Sequence, residues 1–168
     1  LVMKLTGRIM IKTDSTDVSI ANILTVLQKA LPYHAKNRTE IEYLWKYYCG
    51  NQPILSREKD IRPEINNKVV VNRAEEIVSF KSGYLMGEPL QYVARGTDDV
   101  SDAINQLNEY MFAEEKAAKD KELSDWFHIC GTSFRMVLPD EEDEEDDAPF
   151  EIYTLDPRNT FVIYNNTT

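Results

Sequence analysis

Two histidines, two cysteines and six glycines are spread through these 168 residues, and each scarcity closes off a class of function. His34 and His128 are too few and too isolated to build a catalytic triad or a zinc site. Cys49 and Cys130 form no CxxC or Cys/His ligand spacing. Each precedes a glycine at the end of an expected helix. Both read as reduced small hydrophobes, which suits a reducing, cytoplasmic assembly environment. Gly83 and Gly87 lead to no GK[ST], so no loop is expected to cradle ATP phosphates. Ser79, Ser82 and Ser133 have no evident base beside them in the sequence. No apolar run approaches the roughly 20 residues of a membrane-spanning helix, and no basic-then-apolar signal peptide opens the chain. Clustered Lys and Arg, which grip nucleic acid by displacing counterions, are also missing. An enzyme, a bound cofactor, a metal and a membrane are therefore not expected.

What is present is enough apolar material for a core, 42% of residues with 10% aromatic, on a chain the length of one domain. The net charge of −10 is unevenly placed. Residues 140–147 are eight consecutive acids, so the rest of the chain carries −2. Eight like charges repel one another, and the run reads as a solvated loop at the tip of a hairpin. It lacks the glycine turn and spaced ligands of a calcium loop.

The chain is organised around Asn66–Val93. Val70, Ala74, Ile77, Val78 and Leu85 recur at helical spacing, Asn66 or Asn67 can cap the start, and Gly87 and Pro89 stop the helix. The expectation is about five helical turns, closed by Gly87 in the left-handed conformation, then a short strand over 90–93. Upstream, a short extended segment precedes a helix over about 20–30, capped by Asp17 or Ser19. Its stripe is Ile20, Ile23, Leu24, Leu27 and Leu31, and Pro32 ends it. A second helix from about Asn37 or Thr39 to Tyr48 places Ile41, Leu44, Trp45 and Tyr48 on one face and Tyr43 and Tyr47 on another. Downstream, a turn at 96–99 opens a helix with Val100, Ile104, Leu107 and Met111 in its stripe, broken near Phe112. A helix from about Glu114 to Cys130 follows, with Leu123, Trp126, Phe127 and Cys130 on one face. Strands are expected over 132–138, 150–155 and 160–164, with a turn at 156–159. The fold class is α+β, several helices packed on a small mainly antiparallel sheet.

Three segments resemble one family. Gly83-Tyr-Leu-Met-Gly-Glu-Pro89 after an Asn-Asn-Lys start, Tyr47-Tyr-Cys-Gly-Asn-Gln-Pro-Ile54, and Leu155-Asp-Pro-Arg-Asn-Thr-Phe-Val-Ile-Tyr164 occur in an order and spacing similar to bacteriophage portal proteins of the siphophage type. The helix, glycine and aromatic-bearing strand of 128–137 is similar too. The resemblance covers most of residues 43–164. It implies a structural virion protein, a subunit of a ring, usually dodecameric, at one capsid vertex. Through that ring DNA is packaged and ejected without sequence-specific binding. The implied partners are other copies of the subunit, the terminase, capsid or scaffolding proteins and the head–tail connector. The implied location is the virion, after assembly in a bacterial host's cytoplasm or carriage as a prophage. Portal subunits are longer than this chain, so it is expected to be the amino-terminal wing region, with stem, clip and crown beyond it.

If the wing faces its neighbours, the aromatic surface at Trp45, Tyr47 and Tyr48 is the candidate subunit contact. Stacking on single-stranded nucleic acid is the competing role for those rings, disfavoured by the absence of flanking basic residues. Two other functions stay in view. One is a non-catalytic interaction module whose acidic loop binds a basic partner. The other is a metal-dependent nuclease using the acids, for which no Lys stands beside spaced carboxylates.

Overall fold

The structure, a computed structural model, describes residues 3–95, 101–140 and 148–165. The expected turn at 96–99, Val100 and the acids 141–147 lie outside those residues. In order, the elements are β1 (Ile11–Thr13), α1 (Ile23–Tyr48), a 3-10 turn (Pro53–Ser56), α2 (Arg73–Leu85), α3 (Ser101–Ala113), α4 (Lys116–Cys130), β2 (Phe134–Pro139), β3 (Phe150–Leu155) and β4 (Ile163–Asn165). The α+β class is borne out by these helices and the small antiparallel ladder. The chain divides into two compact units, one of Leu1–Glu76 with Pro157–Thr168 and one of Ile77–Asp156.

The first unit is built on α1. The expectation of two helices separated at Pro32 is corrected, because Pro32 lies inside one helix of 26 residues. An interior proline loses a backbone donor and costs roughly 3 kcal/mol. Here α1 carries anchors on both sides of it: Val26 and Ala30 before, His34, Glu40 and Ile41 after, all buried. Long-range packing thus overrides the local signal. The buried stripe is also offset from the expected one, since Ile20, Ile23, Leu24 and Leu31 are exposed. Along α1 the two ends of the unit meet. β1 pairs in parallel with β4, Ile11 opposite Ile163, and Pro157 at the start of the returning segment is fully buried. The expected strand over 160–164 is therefore shorter and belongs to a separate two-stranded ladder, not to the hairpin's sheet.

The central helix is corrected as well. Helix α2 starts at Arg73, five or six residues later than expected. Val69-Val70-Val71 are β-branched and resist helix, and the preceding chain is held extended by other bonds. Lys68 Nζ donates to the Leu55 carbonyl, and Asn72 Nδ2 donates to the Tyr48 carbonyl at 2.8 Å. Asn72 then caps α2, its Oδ1 accepting from the Glu75 N–H. At the other end Gly87 is not left-handed. Glycine is needed there because a Cβ would sit 2.6 Å from the Gly83 carbonyl oxygen.

In the second unit, β2 and β3 form the expected antiparallel hairpin, Phe134 opposite Leu155 and Pro139 opposite Phe150. No strand forms over 90–93. Asn108 of α3 supplies what a neighbouring strand would, its Oδ1 accepting from the Tyr92 N–H and its Nδ2 donating to the Tyr92 carbonyl, each at 3.0 Å. The break between α3 and α4 falls at Glu114 and Glu115, where Glu115 is left-handed with φ 48°, two residues past Phe112. Gly131, at φ 72°, closes α4. On α4, Trp126 and Cys130 are buried as expected, whereas Phe127 is 57% exposed.

Candidate functional site

The carboxy-terminal end of α1 carries the aromatic residues singled out from the sequence. Trp45 and Tyr48, three apart on a helix, share a face, and their ring centroids are 5.6 Å apart. The Arg158 guanidinium lies 5.0 Å over the Trp45 ring, a cation–π contact. About three turns earlier His34 stacks on Phe161, centroids 4.5 Å apart, and its Nε2 donates to the Arg158 carbonyl. Since a carbonyl only accepts, Nε2 carries the proton. Trp45 and Tyr48 are thus half-buried parts of the unit's own packing, holding the returning segment of 157–165 on α1. Tyr47 points elsewhere. It pairs with Tyr43, centroids 6.1 Å apart, and stays exposed. The structure brings Trp45 and Tyr48 together and leaves Tyr47 on a second face.

Cys49 follows directly and is exposed, not the small buried hydrophobe expected. It caps a helix whose exit is set by Gly50, left-handed at φ 78°. Cys130 is buried as expected.

On the same unit, the buried Glu40 anchors the amino-terminal segment. Its Oε1 accepts from both the N–H and the hydroxyl of Thr6 at 2.6 Å, and its Oε2 accepts from Arg8 Nη1 at 3.0 Å. These bonds, the Thr6 hydroxyl foremost, hold the Glu40 carboxyl below its ordinary value of 4.5, against the opposing effect of burial. Asn37 continues the anchoring, exchanging two side-chain bonds with the Ile9 backbone.

The second unit contains a polar column that the sequence did not reveal. Lys116, Asp120, Ser124 and His128 recur every four residues along one side of α4. The first three are buried. Asp120 is paired with Lys116 and with Arg135 of β2, the latter at 2.6 Å. Ser124 faces Ser82, which is fully buried on α2, with their hydroxyl oxygens 3.3 Å apart. His128 Nδ1 donates to the Ser124 carbonyl at 2.8 Å. No carboxylate orients this histidine among the described hydrogen bonds, so the serine–histidine contact lacks the third member that triad chemistry needs. The period of four was visible in the sequence, but polar residues at that period ordinarily signal a solvated face. Nearby, Glu114 at the α3–α4 corner pairs with Lys119 and accepts the Ile152 N–H at 2.7 Å. That bond closes an otherwise open donor on β3.

Beside the column lies a pocket of about 370 Å³, with Leu85, Met86, Leu90 and Phe127 among its apolar walls and Lys116, Asp120 and Arg135 on its polar side. The Arg135 Nε is buried without a hydrogen-bond acceptor. Among the described residues no group of three or more His, Cys, Asp or Glu could hold a metal ion, and no helix is long and apolar enough to cross a membrane. Both surfaces suit noncovalent recognition: rings and a guanidinium in one unit, an apolar-walled cationic pocket in the other.

A family model described as phage portal protein, SPP1 Gp6-like, matches residues 27–168. No curated protein sequence matches the chain.

Proposed function

From the premise that this chain belongs to the SPP1 Gp6-like phage portal proteins, a structural component of the virion capsid, we propose that it is the wing region of a ring-forming subunit. In this reading copies of the subunit encircle the channel at one capsid vertex. DNA passes through it during packaging and ejection, and the ring docks the terminase and later the head–tail connector. The observation that carries the reading is the extent of the match, which runs from the first turns of α1 through β4 and so takes in both units.

The work done is mechanical and electrostatic. A surface near charge balance outside the acidic run lets DNA slide by without the counterion-release affinity that a basic surface provides. Tyr47, exposed beside Tyr43, is the part of the aromatic cluster free to meet a neighbouring subunit, while Trp45 and Tyr48 support it from within. Assembly takes place in the host cytoplasm in this reading.

The acidic segment is not needed for the fold in this account, because the pairing of β2 with β3 is complete at Pro139 opposite Phe150, both outside 140–147. Deleting 140–147 is expected to leave folding intact. Loss of a specific binding event to a basic partner on that deletion would favour the interaction-module reading. The deciding experiment is the solution mass, by light scattering, of residues 1–168 beside the full-length gene product. A large ring from the full-length product supports the proposal. A monomer from both overturns it.

A further inference from the structure

We infer that, in the ring proposed above, the turn leading into α1 of one copy seats in the Arg135 pocket of the next. The inference rests on the ring reading and names the contact that closes it.

The pocket has an unmet demand. Asp120 is shared by two cations, Lys116 and Arg135, so this side of the pocket carries one positive charge more than its carboxylate balances. The Arg135 side chain keeps 23% of its surface open to solvent, so a docking group can reach it. A guanidinium matches a carboxylate best. The walls, Leu85, Met86, Leu90 and Phe127, call for an aliphatic group beside that acid. Three of these side chains are themselves open to solvent: Leu85 and Leu90 by more than half, and Phe127 by 57%.

The turn before α1 offers that chemistry. Ile20 is 97% exposed, Leu24 72% and Val18 58%, a protruding apolar knob that the unit's own packing does not use. Asp17 precedes it and is exposed. The knob is also held in shape in advance. The Ser19 N–H donates to Asn22 Oδ1 at 2.9 Å, and Asn22 Nδ2 donates to the Asp17 carbonyl at 2.8 Å. A pre-ordered loop gives up less conformational freedom on docking. Acid plus aliphatic on one surface meets cation plus apolar wall on another. The two patches are different regions of the chain, so the contact is heterologous, the kind that propagates head to tail and closes into a ring.

The test is disulfide trapping in the full-length gene product with Cys49→Ser in the background, since Cys49 is exposed. Ile20→Cys and Leu90→Cys replace exposed side chains, so neither substitution threatens folding. Light scattering first establishes the ring, then mild oxidation and a non-reducing gel read the bonds. The expected result is a ladder of covalent multimers from the double variant, with only background dimers from either single variant. Mixing the two single variants is expected to give dimers and nothing larger. Rings without a ladder overturn this contact and leave the ring reading standing, pointing to a different virion protein or another surface. A bond formed only within one copy also overturns it. Failure of the full-length product to form rings overturns both readings. As an orthogonal check, Asp17→Arg is expected to weaken assembly and Asp17→Glu to preserve it.

Discussion

Replacing Glu40 with glutamine isolates the charge that fastens the amino-terminal segment to α1. The shape is kept and the charge removed, while an amide N–H₂ is set against donors of Thr6 or Arg8. Three bonds converge on the carboxylate, two at 2.6 Å and one at 3.0 Å. A hydrogen bond to a charged group contributes about 1.5–3 kcal/mol. The three do not add in full, because exposed Thr6 can rehydrate once released. We expect Glu40→Gln to destabilise the first unit by about 2–3 kcal/mol at pH 7. The pH dependence follows from the direction of the shift. The folded carboxyl titrates below 4.5 and the unfolded one near it. Between those values the unfolded state binds more protons, so stability rises with pH there. The contribution is fully present above the unfolded value and is lost as pH falls through the folded one. Urea unfolding of both proteins from pH 7 to pH 3, with hydrogen exchange at the Thr6 and Ile9 amides as the local readout, should show a gap that closes in acid. A gap under about 0.5 kcal/mol at pH 7, within the range of an ordinary surface substitution, would refute the reasoning, as would a gap unchanged at pH 3.

The two glycines around the end of α2 should respond in opposite senses. At Gly83 a methyl meets nothing within 4 Å, and Gly83→Ala should stabilise by about 0.4–1 kcal/mol. At Gly87 the same methyl would lie 2.6 Å from a carbonyl oxygen, so Gly87→Ala should lower the melting temperature. Asp120→Ala leaves Lys116 and Arg135 without their shared partner and should cost about 3–5 kcal/mol in denaturant unfolding, more than any exposed acid-to-alanine change. Trp45→Ala removes contacts with Tyr48 and Arg158 and, at a half-buried position, should destabilise by about 1–3 kcal/mol. Tyr47→Ala should leave the melting temperature nearly unchanged while reducing the ring fraction of the full-length product by light scattering. An unchanged ring fraction would remove Tyr47 from the interface.

The features legible in the sequence were those fixed by local stereochemistry. Gly50 and Gly131 ended helices where expected, because only a residue tolerant of positive φ completes those caps. The strand over Phe150–Leu155 was bounded by Pro149 and Pro157 and alternates as a half-buried strand should. What stayed hidden was decided by bonds between distant residues. Nothing near Pro32 announces that His34, Asn37 and Glu40 will each find partners remote in sequence. Nothing near Tyr92 shows that an asparagine side chain sixteen residues on will take the place of a strand. The column on α4 stayed hidden for a related reason: a lysine, an aspartate and a serine four apart describe a wet surface until Arg135 and Ser82 arrive to cover them. Of the candidate contact, the rings were visible, but not that Arg158 would claim Trp45.

The parallel pairing of β1 with β4 dictates an order of events at the ribosome. Domains on a nascent chain ordinarily mature from the amino terminus onward, at about 5–20 residues synthesised per second. Here the first unit cannot finish first. Its long helix must wait for Pro157, Phe161 and Ile163, which follow only after the 80 residues of 77–156 have been made. That interval is on the order of 4–16 s at the same pace. During it His34 and Trp45 lack Phe161 and Arg158 while the interposed unit can already close on itself. The vulnerable species in production is therefore a half-made chain with a finished insert and an open host, the stage at which chaperone capture or aggregation would act.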